Sequence, residues 1–199
     1  MKLHGNCLVA GVDEVGRGCL AGDVLAAAVI LQPKKPIHGL TDSKAIKPYQ
    51  RSFVYKEIIQ SCVCYSIGRA SVYEIDRFNI LQATLLAMKR AVDSLQIKPH
   101  KVMVDGNALP KWEYESEAII KGDSKVPEIS AASIIAKVTR DEEMNVLAKK
   151  YPGYGFEKNK GYGTPQHKAA IKAKGFCDCH RRTFSPISEL INDRQEYLL

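Results

Sequence analysis

Apolar residues in this chain come first in short unbroken blocks and then in longer stretches with helical spacing. Leu8 to Val12 and Val24 to Leu31 are continuous apolar runs of strand length, the pattern of strands covered on both faces. Pro48 opens a helix predicted to run to about Ser61, with Phe53, Ile58 and Ile59 among its apolar positions. Cys62 to Val72 suits a third strand. Across Asn79 to Leu95, the residues Ile80, Leu81, Leu85, Met88 and Val92 form a helical stripe. Two compact strands follow: Lys101 to Val104, ending in Asp105-Gly106-Asn107, and Ala118 to Ile120, ending in Lys121-Gly122-Asp123. The longest predicted helix runs from Pro127 to about Lys150. Thr164-Pro165 reads as an N-cap and first-turn proline with Gly175 as the stop, and Ser185-Pro186 begins a last short helix. This order predicts an α/β fold in which helices cover a mixed sheet and a helical extension ends the chain. Residues 1–150 are expected to form the core. Residues 151–199 are expected to pack on it as a basic extension, not as an independent domain.

The chain has 199 residues, 45% hydrophobic and 26% charged, which excludes a disordered protein. Its longest apolar block falls well short of the ~18 residues of a membrane span, and no secretory leader opens it. A cytoplasmic location is the expectation, with the six cysteines reduced. Cys177-Asp178-Cys179-His180 invites a zinc site completed by Cys62 and Cys64, but both pairs are C-x-C, not the C-x-x-C of most structural sites. Zinc is therefore not expected.

Charge changes the picture more. Lys and Arg number 29 against 22 Asp and Glu, a net +7. The window from Lys149 to Arg182 holds nine basic and two acidic residues, so it alone accounts for that +7. Tyr151, Tyr154, Phe156, Tyr162 and Phe176 lie among those charges, a mixture that suits nucleic acid. A merely solvated lysine-rich face has the same composition.

Asp13 and Glu14 follow an apolar strand directly, where a carboxylate pair is costly without compensation. Asp105 ends another strand and Asp123 lies just past a third. Sites in open sheets assemble at strand ends, and converging carboxylates call for a hard divalent cation, Mg²⁺ or Mn²⁺. Two ions roughly 4 Å apart would clamp both oxygens of a phosphodiester displacement. Each acid is also an ordinary turn residue if taken alone. The segment from Gly11 to Gly18 resembles a phosphate loop but has Arg17-Gly18 in place of Lys-Ser/Thr, which excludes a nucleoside triphosphatase. Gly16-Arg17-Gly18 can instead bring backbone N–H groups and a guanidinium fork to an anion. Ser130, Ser133, Lys137 and Arg140 share one face of the long helix and are placed to contact phosphates, although a plain amphipathic helix reads the same way. Tyr162, between two glycines, could stack on a sugar or base, or pack into the core. Hydrolase triads and dinucleotide fingerprints are absent.

Taken in order, Gly11-Val12-Asp13-Glu14-Val15-Gly16-Arg17-Gly18, Thr41-Asp42-Ser43-Lys44, Val104-Asp105-Gly106, Lys121-Gly122-Asp123, the run from Ser130 to Asp141, and Lys160-Gly161-Tyr162-Gly163-Thr164 resemble the type 2 ribonuclease H family in its bacterial branch. The resemblance covers about Val9 to Phe184. It implies a ribonuclease H-like five-stranded mixed sheet with helices on both faces and a C-terminal helical extension. It also implies cleavage of RNA in RNA–DNA hybrids and of single ribonucleotides in duplex DNA, as in replication and repair. The cut would fall 5′ of the ribonucleotide and leave 3′-hydroxyl and 5′-phosphate ends. By the same resemblance Asp13, Glu14, Asp105 and Asp123 are the catalytic metal ligands, for two Mg²⁺ or Mn²⁺ ions. Gly16, Arg17 and Gly18 would read the ribose 2′-hydroxyl, and Tyr162 would stack on the following deoxyribose. Lys44, Lys137 and Arg140 are further expected phosphate contacts. Gln195 to Leu199 loosely resembles a sliding-clamp peptide. Two other classes are compatible with parts of the pattern: a DNA-cutting nuclease of the same fold, and a non-catalytic nucleic-acid-binding protein.

Overall fold

The computed structural model describes residues 7–33, 35–40 and 46–196. Lys44 and the last three residues of the clamp-like peptide lie outside them. Five strands form one sheet: β1 (Val9–Val15), β2 (Val24–Ile30), β3 (Cys64–Ala70), β4 (Lys101–Asp105) and β5 (Glu115–Ile119). Their order is β3-β2-β1-β4-β5. The first three pair antiparallel, and β4 and β5 run parallel to β1. Helices α1 (Pro48–Ser61), α2 (Val72–Asp93) and α3 (Pro127–Lys150) cover the sheet, and α4 (Phe156–Asn159), α5 (Pro165–Lys174) and α6 (Ile187–Glu196) follow.

All seven residues of β2 are buried, as its unbroken apolar run requires. Even-numbered positions of β1 and β2 (Ala10, Val12, Ala26, Ala28) pack with Ala83, Ala87 and Val92 of α2. Ala27 and Val29 pack on the other face with α1 and with Ile134 and Ile135 of α3. Each fully buried Leu or Ile contributes about 1.5–3 kcal/mol. Glycine lets α3 approach β1 closely: a Cβ on Gly11 would stand 2.1 Å from the Glu128 carbonyl carbon. The first turns of α3 therefore lie directly against β1. A third apolar cluster joins Leu20 and Ala21 to Met144, Phe156, Ile171 and Ile187, which seats α4, α5 and the start of α6 on the loop that follows β1.

The elements depart from the sequence reading in four places. Strand β5 begins at Glu115, ahead of the apolar Ala118, because it is a sheet edge with Glu115 exposed. Helix α2 begins at Val72, where the sequence suggested strand, because Ser71 and Glu74 form a reciprocal capping box. That helix breaks at Asn79, whose φ is 68° and whose side chain accepts from the Gln82 N–H, restarting the helix. Helix α4 is one short turn with too few residues to show a period.

Candidate active site

The parallel register aligns Val12 of β1 with Val104 of β4, so Asp13, which lies inside β1 and not beyond it as the sequence suggested, neighbours Asp105 at the end of β4. Strand alternation then divides the acids between the faces of the sheet. Asp13 turns toward α3, where the Ser133 hydroxyl and the Glu14 N–H donate to its carboxylate. Glu14 turns toward α2 and shares a small cleft with Arg17, Asp105, Gly106 and Asn107. The Asp105 carboxylate accepts from the Gly122 N–H at 2.7 Å, which ties it to the single 3₁₀ turn Gly122–Ser124 that carries Asp123. The Ser130 hydroxyl donates to the Asp123 carbonyl and fixes that turn from α3. The structure thus gathers Asp13, Glu14 and Asp105 near the carboxyl ends of β1 and β4, with the turn that carries Asp123 held beside them, the usual location of sites in open sheets.

Asp13 is 6% exposed. Burial pushes its carboxyl well above the ordinary carboxylate range, and the charges of Glu14 and Asp105 push it further. The Ser133 and Glu14 hydrogen bonds pull it back only in part. A buried carboxylate surrounded by more carboxylate is an arrangement that a divalent cation relieves. Its donors are hard oxygens, which fit Mg²⁺ or Mn²⁺.

Beyond β1 the chain turns through Gly16-Arg17-Gly18. Gly16 has φ +93°, and a Cβ there would stand 2.3 Å from Arg140 Nε, so the fold itself demands glycine. Gly18 is different: a Cβ on it would meet nothing within 4 Å. Its bare flank faces open space. Arg17 is exposed and reaches Glu14 at 3.4 Å. Tyr162 stands beside this loop, because Cys19 and Tyr162 form an antiparallel bridge and the Leu20 N–H donates to the Gly161 carbonyl. The residue is 39% exposed.

Buried guanidinium groups hold this platform together. Arg181 is fully buried and donates to the carbonyls of Gly16 (2.7 Å), Arg17 (2.8 Å) and Gly22 (2.8 and 3.0 Å). Burial pulls its pKa down to about 10, so it stays charged at neutral pH. Arg140 donates to the carbonyls of Ala21, Asp23 and Lys160. This corrects the expectation that Arg140 contacts phosphate: at 1% exposure its fork is spent inside the protein. Ser130 and Ser133 are buried as well and serve the acids, not a phosphate face. Lys137 pairs with Asp141 at 2.7 Å. Of the basic window, Lys149, Lys150, Lys158, Lys168, Lys172, Lys174 and Arg182 are exposed. Sequence reasoning missed Arg181 because in a basic run it looks like one more surface charge. The Ser133 hydroxyl had a faint signal in its helical spacing from Ser130.

Fold and acid cluster together define a class: metal-dependent hydrolases of phosphodiesters with the ribonuclease H architecture. Comparison with known proteins narrows this. The family model for ribonuclease HII matches residues 10–187. The ribonuclease HII of Delftia acidovorans is 57% identical over 189 residues, 95% of this chain and 80% of that relative. One from Coxiella burnetii (strain Dugway 5J108-111) is 53% identical over 189 residues, covering 95% and 94%. The crystal structure of ribonuclease H2 from Pyrococcus horikoshii superposes with a TM-score of 0.79 at 32% identity, covering 95% of this chain and 99% of that one. This chain belongs to the ribonuclease HII family, and it is a ribonuclease H acting on RNA–DNA hybrids. Among the described residues no helix is long and apolar enough to cross a membrane.

Proposed function

We propose that this ribonuclease H cuts both long RNA–DNA hybrids and duplex DNA bearing a single ribonucleotide, 5′ of the ribonucleotide, leaving 3′-hydroxyl and 5′-phosphate ends. The observation that carries this reading is an exposed Gly18, whose Cβ position is open, next in the chain to an exposed Arg17 that shares a cleft with Glu14 and Asp105. RNA differs from DNA at the sugar by its 2′-hydroxyl, which both donates and accepts. A backbone with no side chain in the way can meet that hydroxyl, while Arg17 takes the adjoining phosphate in exchange for its solvent-screened contact with Glu14.

Asp13, Glu14, Asp105 and Asp123 would hold two ions, Mg²⁺ or Mn²⁺. When bound, such ions activate water for in-line attack and stabilise the leaving 3′ oxygen. Asp13 must then be ionised, and Ser133 favours that state. The fixed bond from Gly122 to Asp105 keeps that carboxylate aimed from one strand end toward the other. Tyr162 presents its ring to the deoxyribose after the ribonucleotide, with its backbone anchored at Cys19. The exposed lysines of residues 149–174 hold the duplex backbone without reading sequence, so binding should weaken steeply with salt. Lys137 joins them only by exchanging its Asp141 partner, and Lys44 is assigned the same lesser role. Removal of Gln195 to Leu199 tests the clamp contact: lost binding to a sliding clamp supports it, and unchanged binding disposes of it.

Three labelled duplexes test the main reading: all-DNA, one ribonucleotide in DNA, and a full hybrid, each with Mg²⁺, Mn²⁺ or chelator. The expected result is a metal-dependent cut 5′ of the lone ribonucleotide, a cut hybrid and intact DNA. Cleavage of the all-DNA duplex would contradict the substrate assignment, and salt-sensitive binding without any cleavage would indicate a binding protein.

A further inference from the structure

The turn from Cys177 to His180 carries a cluster that the cleavage chemistry does not use. Cys177 Sγ lies 3.3 Å from Cys179 Sγ and 3.1 Å from His180 Nδ1. All three donor atoms fall within 4.8 Å of one another. The hydrogen bonds set the imidazole tautomer. His180 Nδ1 accepts from the Cys177 N–H at 3.0 Å, so its Nε2 carries the proton and donates to His167 Nε2 at 3.1 Å. His167 Nδ1–H in turn donates to the Tyr162 carbonyl at 2.9 Å. His180 therefore directs a lone pair, not a proton, toward Cys177 Sγ, with Cys179 Sγ within 4.8 Å. Neutral imidazole held from behind by a second acceptor is the form that ligates metals.

We propose that Cys177, Cys179 and His180 form a binding site for a soft divalent cation, Zn²⁺ foremost, distinct from the carboxylate centre. Two thiolates and an imidazole select Zn²⁺ or Co²⁺, whereas the four carboxylates select Mg²⁺ or Mn²⁺. Cation binding releases the thiol protons to solvent. The cation competes with the Cys177 N–H for the His180 lone pair, so the turn gives up one backbone contact to gain the ligand bond. Asp178 and Cys179 line a surface cleft of about 520 Å³, which supplies an entry path and leaves a fourth position for water. Cys62 and Cys64 take no part: their thiols turn to the Ile59 and Ile97 carbonyls.

The location gives the site a consequence. The Cys179 carbonyl accepts from the Gly22 N–H at 2.8 Å, and the next residue but one is Arg181, the anchor of Gly16 and Arg17. An ion here clasps the platform that carries Arg17 and Tyr162 from behind.

The test is a Co²⁺ titration of the whole reduced chain in excess Mg²⁺, with a phosphine reductant that does not bind metal. One equivalent of Co²⁺ should give thiolate-to-cobalt charge transfer and intense tetrahedral d–d bands, both erased by Zn²⁺ and both missing in Cys177→Ser and Cys179→Ser. Octahedral Co²⁺ on carboxylates gives neither signal. Absence of charge transfer in the unsubstituted chain, or its persistence in both variants, would overturn the proposal. Should the variants fail to fold, alkylation of the unsubstituted chain decides. Zn²⁺ should protect Cys177 and Cys179 at least about tenfold relative to Cys7, and equal labelling with and without Zn²⁺ would overturn it.

Discussion

Asp13 and Arg181 are both ionisable, both nearly inaccessible, and both close to the turn after β1, yet their surroundings treat them differently. Asp13 has two further carboxylates for neighbours, and burial raises its proton affinity. Arg181 is enclosed by the carbonyl oxygens of Gly16, Arg17 and Gly22, which take up its guanidinium donors. The platform that carries Arg17 and Tyr162 is therefore complete in the protein alone, whereas the acid cluster would gain its balance from a bound cation. In the proposed reading, recognition is prebuilt and the cutting centre is conditional. The division is physically sensible, since a geometry that discriminates must be rigid and a centre that binds charge must begin short of it.

Removing the charge on each side should break the two regions differently. Asp13→Asn is expected to cost on the order of a thousandfold or more in metal-dependent cleavage. Because its folded pKa is raised, Asp13 favours folding at low pH and opposes it as pH rises through that value. The metal-free Asn variant should accordingly unfold at higher temperature than the parent at neutral pH, which scanning calorimetry in chelator would show. Arg181→Met should do the reverse and strand buried carbonyls at a cost of about 3 kcal/mol. Denaturant unfolding measures it; unchanged stability with uniformly weaker DNA binding would mark Arg181 as a phosphate contact.

Smaller effects sharpen the contrast. Tyr162→Ala should lose about 1–3 kcal/mol of stacking, or roughly ten- to a hundredfold in kcat/KM on the single-ribonucleotide duplex, and less on a long hybrid. Ser133→Ala removes a bond that holds the Asp13 pKa down. Its acidic limb of kcat/KM should move to higher pH, with roughly a threefold to tenfold loss at the acidic end. The exposed Glu74–Arg90 pair is the surface control. Arg90 holds Glu74 down to about 2, so the pair stabilises the fold above the ordinary carboxylate range and that contribution fades as pH falls toward 2. Glu74→Gln should cost under about 1 kcal/mol at neutral pH in urea unfolding.

The strands and long helices were legible because their signals are local. The β2 run from Val24 and the prolines at 48 and 127 coincide with real boundaries. The acids were legible as residues that follow apolar blocks. What sequence could not show is partnership across distance. Arg140 and Arg181 look like surface charge until the carbonyls that enclose them are seen, 117 to 165 residues away for most. The Asn79 break depends on a side chain restarting a helix whose apolar stripe continues past it. The Cys177–His180 cluster was discounted on spacing, because C-x-C does not reveal that the turn brings His180 Nδ1 and both sulfurs within 4.8 Å of one another.

Prebuilt recognition is tested most directly by binding without catalysis. Fluorescence anisotropy in chelator would compare the unsubstituted chain on all-DNA duplex and on the same duplex with one ribonucleotide. The account requires the ribonucleotide duplex to bind at least about tenfold more tightly, a preference of roughly 1.4 kcal/mol, with no cleavage. Equal affinities that separate only when Mg²⁺ or Ca²⁺ is added would contradict it, and would place discrimination in the metal centre instead of the Gly16–Gly18 loop.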